Sequence, residues 1–125
     1  MASATGRRIC QILLAGLLTG GCASSGYRPY TEREKTWLAH AVTAQALDAT
    51  LTGYALANVE GAAEANPLYG PRPDIGFMVS SKTVLLGAAY LVGQVYPDSR
   101  ESLYRAISCI GYGLSAWNLG IIVSE

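Results

Sequence analysis

Three apolar runs, at residues 37–59, 75–95 and 106–123, dominate the pattern of this chain, and each is long enough to cross the hydrocarbon of a bilayer. Each also carries a polar group that such a helix ordinarily avoids: Asp48 in the first run, Lys82 in the second and Asn118 in the third. A charge near the middle of a membrane helix costs roughly 2.5–3.5 kcal/mol on insertion scales, so it has a partner or a task. The first run is the most diluted. His40, Gln45, Asp48 and three threonines make it marginal as a span and compatible with a buried helix of a water-soluble bundle.

Punctuation between the runs sets the expected elements. Thr31-Glu32-Arg33-Glu34 reads as a capping box and opens a helix over about residues 32–58. Residues 60–74 carry Gly61, Pro67, Gly70, Pro71 and Pro73, which forbid a helix and stiffen a loop. Asp74 caps a second helix over 75–95, stopped by Pro97. Asp98-Ser99-Arg100-Glu101 repeats the capping pattern and launches a third helix over 100–123. There is no alternating strand pattern and no internal repeat. The expected fold class is therefore all-α: an up-down-up three-helix transmembrane bundle after an N-terminal export signal.

The export signal is read from Arg7 and Arg8, the short apolar core of residues 9–18, and the small residues Thr19-Gly20-Gly21 before Cys22. Small residues directly before a cysteine resemble the lipobox of bacterial lipoproteins, in which the cysteine thiol is acylated and becomes the new N-terminus. Thr19 departs from that pattern, in which Leu is commonest. Cleavage falls before Cys22, with lipidation, or after Ala23, with Gly21-Cys22-Ala23 as a small-x-small site. The chain then divides into a signal at 1–22, a polar tether at 23–31 and a membrane domain at 32–125. With Cys10 lost and Cys22 acylated, Cys109 is left as the one thiol, so neither a disulfide nor a cysteine metal cluster is expected.

Helical spacing brings the polar residues of the runs together. Counted from the helix ends nearest the Pro-rich loop and from the C-terminal end of the third helix, Asp48, Lys82 and Asn118 lie roughly 15, 10 and 9 Å deep. The lysine stem covers the offset to Asp48. On the Asp48 face lie Ala41, Gln45, Thr52 and Ala55; Ala89 and Gly93 accompany Lys82, and Gly111 and Ser115 accompany Asn118. Small residues let backbones approach, and lipid offers no hydrophobic drive of its own. The intramembrane cluster of Asp48, Lys82, Asn118, Gln45 and Thr52 either fixes helix register or lines a proton or ion route. The alternative pairing has Lys82 snorkelling alone to the interface. In the loop, Glu64-Ala65-Asn66-Pro67 is either an ordinary solvated turn or a cap that sends Glu64 back towards Lys82, with Pro67 holding Asn66 extended.

Composition narrows the function classes. Among 125 residues, half are hydrophobic and only 14% are charged, where a soluble domain carries about a quarter. Net charge is zero and no basic tail or stripe is present, so nucleic acid is not an expected partner. Eight Tyr and two Trp against one Phe, several near run ends (Tyr27, Tyr30, Trp37, Tyr96, Tyr104), suit the headgroup level of a bilayer. His40 is the only histidine, which removes a histidine-rich metal site and leaves no expected cofactor. A dyad of His40 with Ser115 fails on depth, roughly 6 against 20 Å below the outer surface. Gly113-Leu114-Ser115-Ala116 lacks the closing glycine of a nucleophile elbow, and Gly111-x-Gly113 has no strand before it to make a phosphate loop.

Asp48-x-x-x-Thr52, then Glu64-x-Asn66-Pro67 and a lysine in the next span, resembles a family of small bacterial integral membrane proteins. The resemblance covers roughly residues 34–95. It implies that Asp48, Thr52, Glu64, Asn66, Pro67 and Lys82 belong together, and it implies no activity. The lipobox-like start departs from that family.

The expected function is a non-enzymatic inner-membrane accessory or assembly protein, with the bilayer and another membrane protein or a second copy as partners. Export of the N-terminus places the start of the first helix in the periplasm. The loop's Arg72 is outweighed by Glu60, Glu64 and Asp74, so charge bias lends this orientation no support. The alternatives are a small oligomeric ion or proton conductor and a periplasmic helical lipoprotein tethered by Cys22 alone, at the outer membrane.

Overall fold

A computed structural model describes residues 28–63, 69–70 and 72–124. The expected signal, the Cys22 lipidation site and the loop residues Glu64, Asn66 and Pro67 lie outside the described residues. The described residues form three helices, α1 (Glu32–Asn58), α2 (Ile75–Val95) and α3 (Arg100–Val123), with a 3-10 turn at Pro97–Ser99 before α3. No strand occurs among the described residues.

Side-chain chemistry sets the helix starts. At α1 the Thr31 hydroxyl accepts the Glu34 N–H at 3.2 Å while the Glu34 carboxylate accepts the Thr31 N–H at 2.8 Å, closing the capping box. At α2 the Asp74 carboxylate accepts the Phe77 N–H at 2.8 Å. The start of α3 corrects the capping expectation: Asp98, the cap in that pattern, lies inside the 3-10 turn, and Ser99 at the N-cap position is already helical, with its hydroxyl donating back to the Tyr96 carbonyl at 2.8 Å. Pro97 is the reason. Its fixed φ starts the 3-10 turn, the Ser99 N–H bonds the Tyr96 carbonyl, and the orphan donors that a cap would serve are partly used. Beyond α1 the chain turns at Gly61, whose φ of 75° is one that L side chains rarely adopt.

The helices α1 and α3 share by far the largest interface, and α2 touches both more sparsely. Interhelical pairs run in the same sense along α1 and α3, from Arg33 with Glu101, through Trp37 with Ser108 and Gln45 with Ile107, to Asp48 and Thr52 with Asn118. Close approach centres on Gly111, where an added Cβ would sit 2.9 Å from the Ala44 backbone carbon. The expected tether is not free of the bundle. Tyr30 shares a hydrogen bond with Tyr104 and accepts another from Gln94, and Arg28 donates to the Pro97 carbonyl.

The interior mixes polar groups with small apolar ones, and many of the large apolar side chains face outward. Glu34, Gln45, Asp48, Thr52, Lys82, Arg100, Ser108, Ser115 and Asn118 are buried, beside Ala41, Ala44, Ala55, Met78, Ala89, Tyr104 and Ile107. Val84 (70% exposed), Leu91, Phe77, Ile110, Trp117 and Val123 face outward. Two helical segments, Ile75–Val95 and Pro97–Val123, are long and apolar enough to cross a membrane; α1 is not among them. Only 17% and 28% of their most apolar windows are buried inside the bundle, whereas the core helix of a soluble protein is mostly buried.

Candidate functional site

One polar network joins the three helices at mid-bundle. It starts from α1, whose inward stripe recurs at Ala41, Gln45, Asp48, Thr52 and Ala55, and all five side chains are buried. From α2, Lys82 reaches across so that its Nζ donates to Asp48 Oδ2 at 2.6 Å and to Gln45 Oε1 at 3.1 Å. From α3, Asn118 Nδ2 donates to Asp48 Oδ1 at 3.0 Å and to Thr52 Oγ1 at 2.7 Å. Gln45 Nε2 donates onward to the Ile107 carbonyl at 3.2 Å. Both Asp48 oxygens therefore accept from charged or amide donors, and the Lys82 and Asp48 side chains are 6% and 1% exposed. An ion pair this deep holds only when its remaining hydrogen-bonding capacity is met, and Gln45 and Asn118 meet it.

Lys82 does not snorkel away on its own. Its ammonium also lies 5.7 Å from the Tyr69 ring centroid, within cation–π range, and Tyr69 is held by a 2.8 Å hydrogen bond from Ser81. Sequence reasoning missed Tyr69, which no helical periodicity marks. Between α1 and α2 a cleft of about 220 Å³, lined by Val42, Ala46, Ala49, Val79, Thr83 and Leu86, opens beside Gln45 and Lys82.

A second polar cluster closes the end of the bundle where α1 and α3 begin. Arg28 forks onto the Glu34 carboxylate and also donates to the Pro97 carbonyl at 2.9 Å. Arg100, whose side chain is fully buried, donates through Nε to the Gly93 carbonyl at 2.6 Å and through Nη1 to the Arg28 carbonyl at 2.7 Å. Its guanidinium lies 4.1 Å from the Tyr30 ring centroid. Burial opposes ionisation of Glu34, but the Thr31 amide and Arg28 outweigh it and hold the carboxyl below its ordinary value. This cluster also escaped the sequence reading. The available signal was the spacing of Arg100, Tyr104, Gly111 and Asn118, which puts Arg100 on the same inward stripe as Asn118.

The remaining candidates stay apart. His40 Nδ1 lies 2.9 Å from the Tyr112 hydroxyl on an exposed face, and the Ser115 hydroxyl donates to the Gly111 carbonyl at 2.8 Å. Cys109 is a free, exposed thiol on α3. Among the described residues no group of His, Cys, Asp or Glu is arranged to hold a metal ion. Comparison with family models, with curated proteins and with solved structures yields no match to this chain.

Proposed function

We propose that this chain is a small, non-enzymatic membrane protein of the accessory or assembly kind, with three helices in the bilayer clamped by the Asp48–Lys82 pair. The observation that carries this reading is the inverted distribution of side chains: charge, amide and hydroxyl inside, Leu, Val, Ile, Phe and Trp outside. In water that arrangement leaves apolar faces wet and buries charge at a cost. In lipid, small residues and interhelical hydrogen bonds are what hold helices together. The up-down-up order is supported by the pairs that run in the same sense along α1 and α3, and by Lys82 and Gln94 of α2 meeting Asp48 and Tyr30 in reverse order. The weaker hydropathy of α1 fits its place as the helix that supplies most of the network while turning Val42, Leu47 and Tyr54 outward.

The proposed setting is the bacterial inner membrane, with the start of α1 on the periplasmic side and Cys22 acylated. The export-like start carries that part of the proposal. The resemblance to small integral membrane proteins with the Asp-x-x-x-Thr motif implies that Asp48, Thr52 and Lys82 belong together, and the three stand in one network. The partner is a second membrane protein or another copy of this chain. A second reading, a small oligomeric conductor, draws on the cleft that opens beside Lys82.

Alkaline extraction of membranes tests the leading reading. Both the wild-type chain and Cys22→Ala stay in the pellet if the helices span; release of the variant alone supports a tethered soluble bundle. Proton flux into vesicles separates the second reading: flux abolished by Asp48→Asn favours conduction, and absence of flux favours the accessory role.

A further inference from the structure

In the Arg28–Arg100 cluster two guanidinium groups, Arg100 fully buried and Arg28 39% exposed, share one carboxylate among the described residues. Among the described residues Glu34 is the only acid bonded there: Arg28 forks onto it, the Thr31 N–H takes one of its oxygens, and Arg100 Nη1 comes no nearer than 3.9 Å. Among the described residues, Arg28 Nε and Arg100 Nη2 are buried with no acceptor. A buried donor left unpaired costs most when it carries charge. Arg100 is covered on one face by Tyr30, and the free donors of a stacked guanidinium lie in its plane, at the edge. An anion with several acceptor oxygens would satisfy both donors, and guanidinium geometry matches a phosphate group.

We propose that the Arg28–Arg100 end binds a phosphate group, entering beside the half-buried Arg28 and accepting from Arg28 Nε and Arg100 Nη2. The source of that phosphate rests on the membrane reading, which sets this end at the headgroup level of one leaflet, where an anionic lipid supplies a phosphodiester. Free phosphate offers the same chemistry without the bilayer. The test is thermal unfolding of the full chain in a neutral sugar detergent. It is run with inorganic phosphate alone, then with phosphatidylglycerol doped into the micelles, each against chloride at equal ionic strength. At tenfold above half-saturation the expected rise in Tm is about 5 °C. Arg28→Gln removes the rise; the Gly93 carbonyl, which holds Arg100 Nε, is untouched by the change. A rise with phosphate alone identifies a free-anion site, and a rise only with lipid identifies a headgroup site. No rise with either probe, or an undiminished rise in Arg28→Gln, overturns the proposal. Alkaline release of the protein would sink the membrane reading yet leave a shift with inorganic phosphate standing, so the two failures are distinct.

Discussion

Replacing Asp48 and Lys82 singly and together measures the ion pair that joins α2 to α1. The variants are Asp48→Ala, Lys82→Met, which keeps most of the stem volume, and the double. Nζ and Oδ2 lie 2.6 Å apart with both side chains almost wholly buried. At an effective dielectric of about 20, the gross attraction is about 6 kcal/mol, and desolvation consumes a large part of it. Each single change strands the other charge in the interior and costs about 3–5 kcal/mol. Asp48→Ala also takes one acceptor from Asn118, a smaller loss of about 0.6 kcal/mol by membrane double-mutant cycles. The double variant has no stranded charge, so its cost falls short of the sum by about 2–3 kcal/mol. Reversible unfolding in mixed micelles, with denaturing detergent as titrant, reads all four corners of the cycle. A coupling below about 0.5 kcal/mol would mean that the two charges act independently, and the reasoning would fail.

Other consequences follow from the packing and the caps. Gly111→Ala places a methyl 2.8 Å from Ala44 Cβ and 2.9 Å from its backbone carbon, forcing α1 and α3 apart at about 1–3 kcal/mol; Gly113→Ala, with open space around it, costs nothing by the same unfolding assay. Thr31→Ala destabilises by about 1 kcal/mol, whereas Ser99→Ala costs less than about 0.5 kcal/mol because its hydroxyl serves no cap. The Glu34 carboxyl is held below its ordinary value of 4.5, so its stabilising charge is fully present above that pH and is lost as pH falls through the lower folded value. The Tm advantage of wild type over Glu34→Gln therefore persists above about pH 4.5 and shrinks below it; an advantage constant down to pH 3 would contradict this.

Legibility in the sequence followed the rarity of each signal. Asp48, Lys82 and Asn118 stand out because charge and amide are costly in apolar runs, and a spacing of three and four residues is enough to gather Gln45 and Thr52 with Asp48. The helix bounds were legible because Thr31, Asp74 and Pro97 are strong punctuation. Asp98 was misread as a cap because the pattern was weighed without the proline directly before it, which had already started a 3-10 turn. Arg28, Tyr30 and Arg100 were read as tether and helix start, since nothing local signals that Tyr30 meets Tyr104, 74 positions away. Contacts of that separation are a property of the assembled bundle, and only the inward register of Arg100 hinted at them.

The account stands on apolar faces that meet lipid, and Trp117 reports on this directly. It is 60% exposed on the outer face of α3, and Trp37→Phe leaves it as the single indole. In vesicles, acyl chains brominated along their length should quench Trp117 fluorescence strongly while aqueous acrylamide leaves it nearly unchanged. Strong acrylamide quenching with no effect of the brominated lipid would place that face in water and contradict the account.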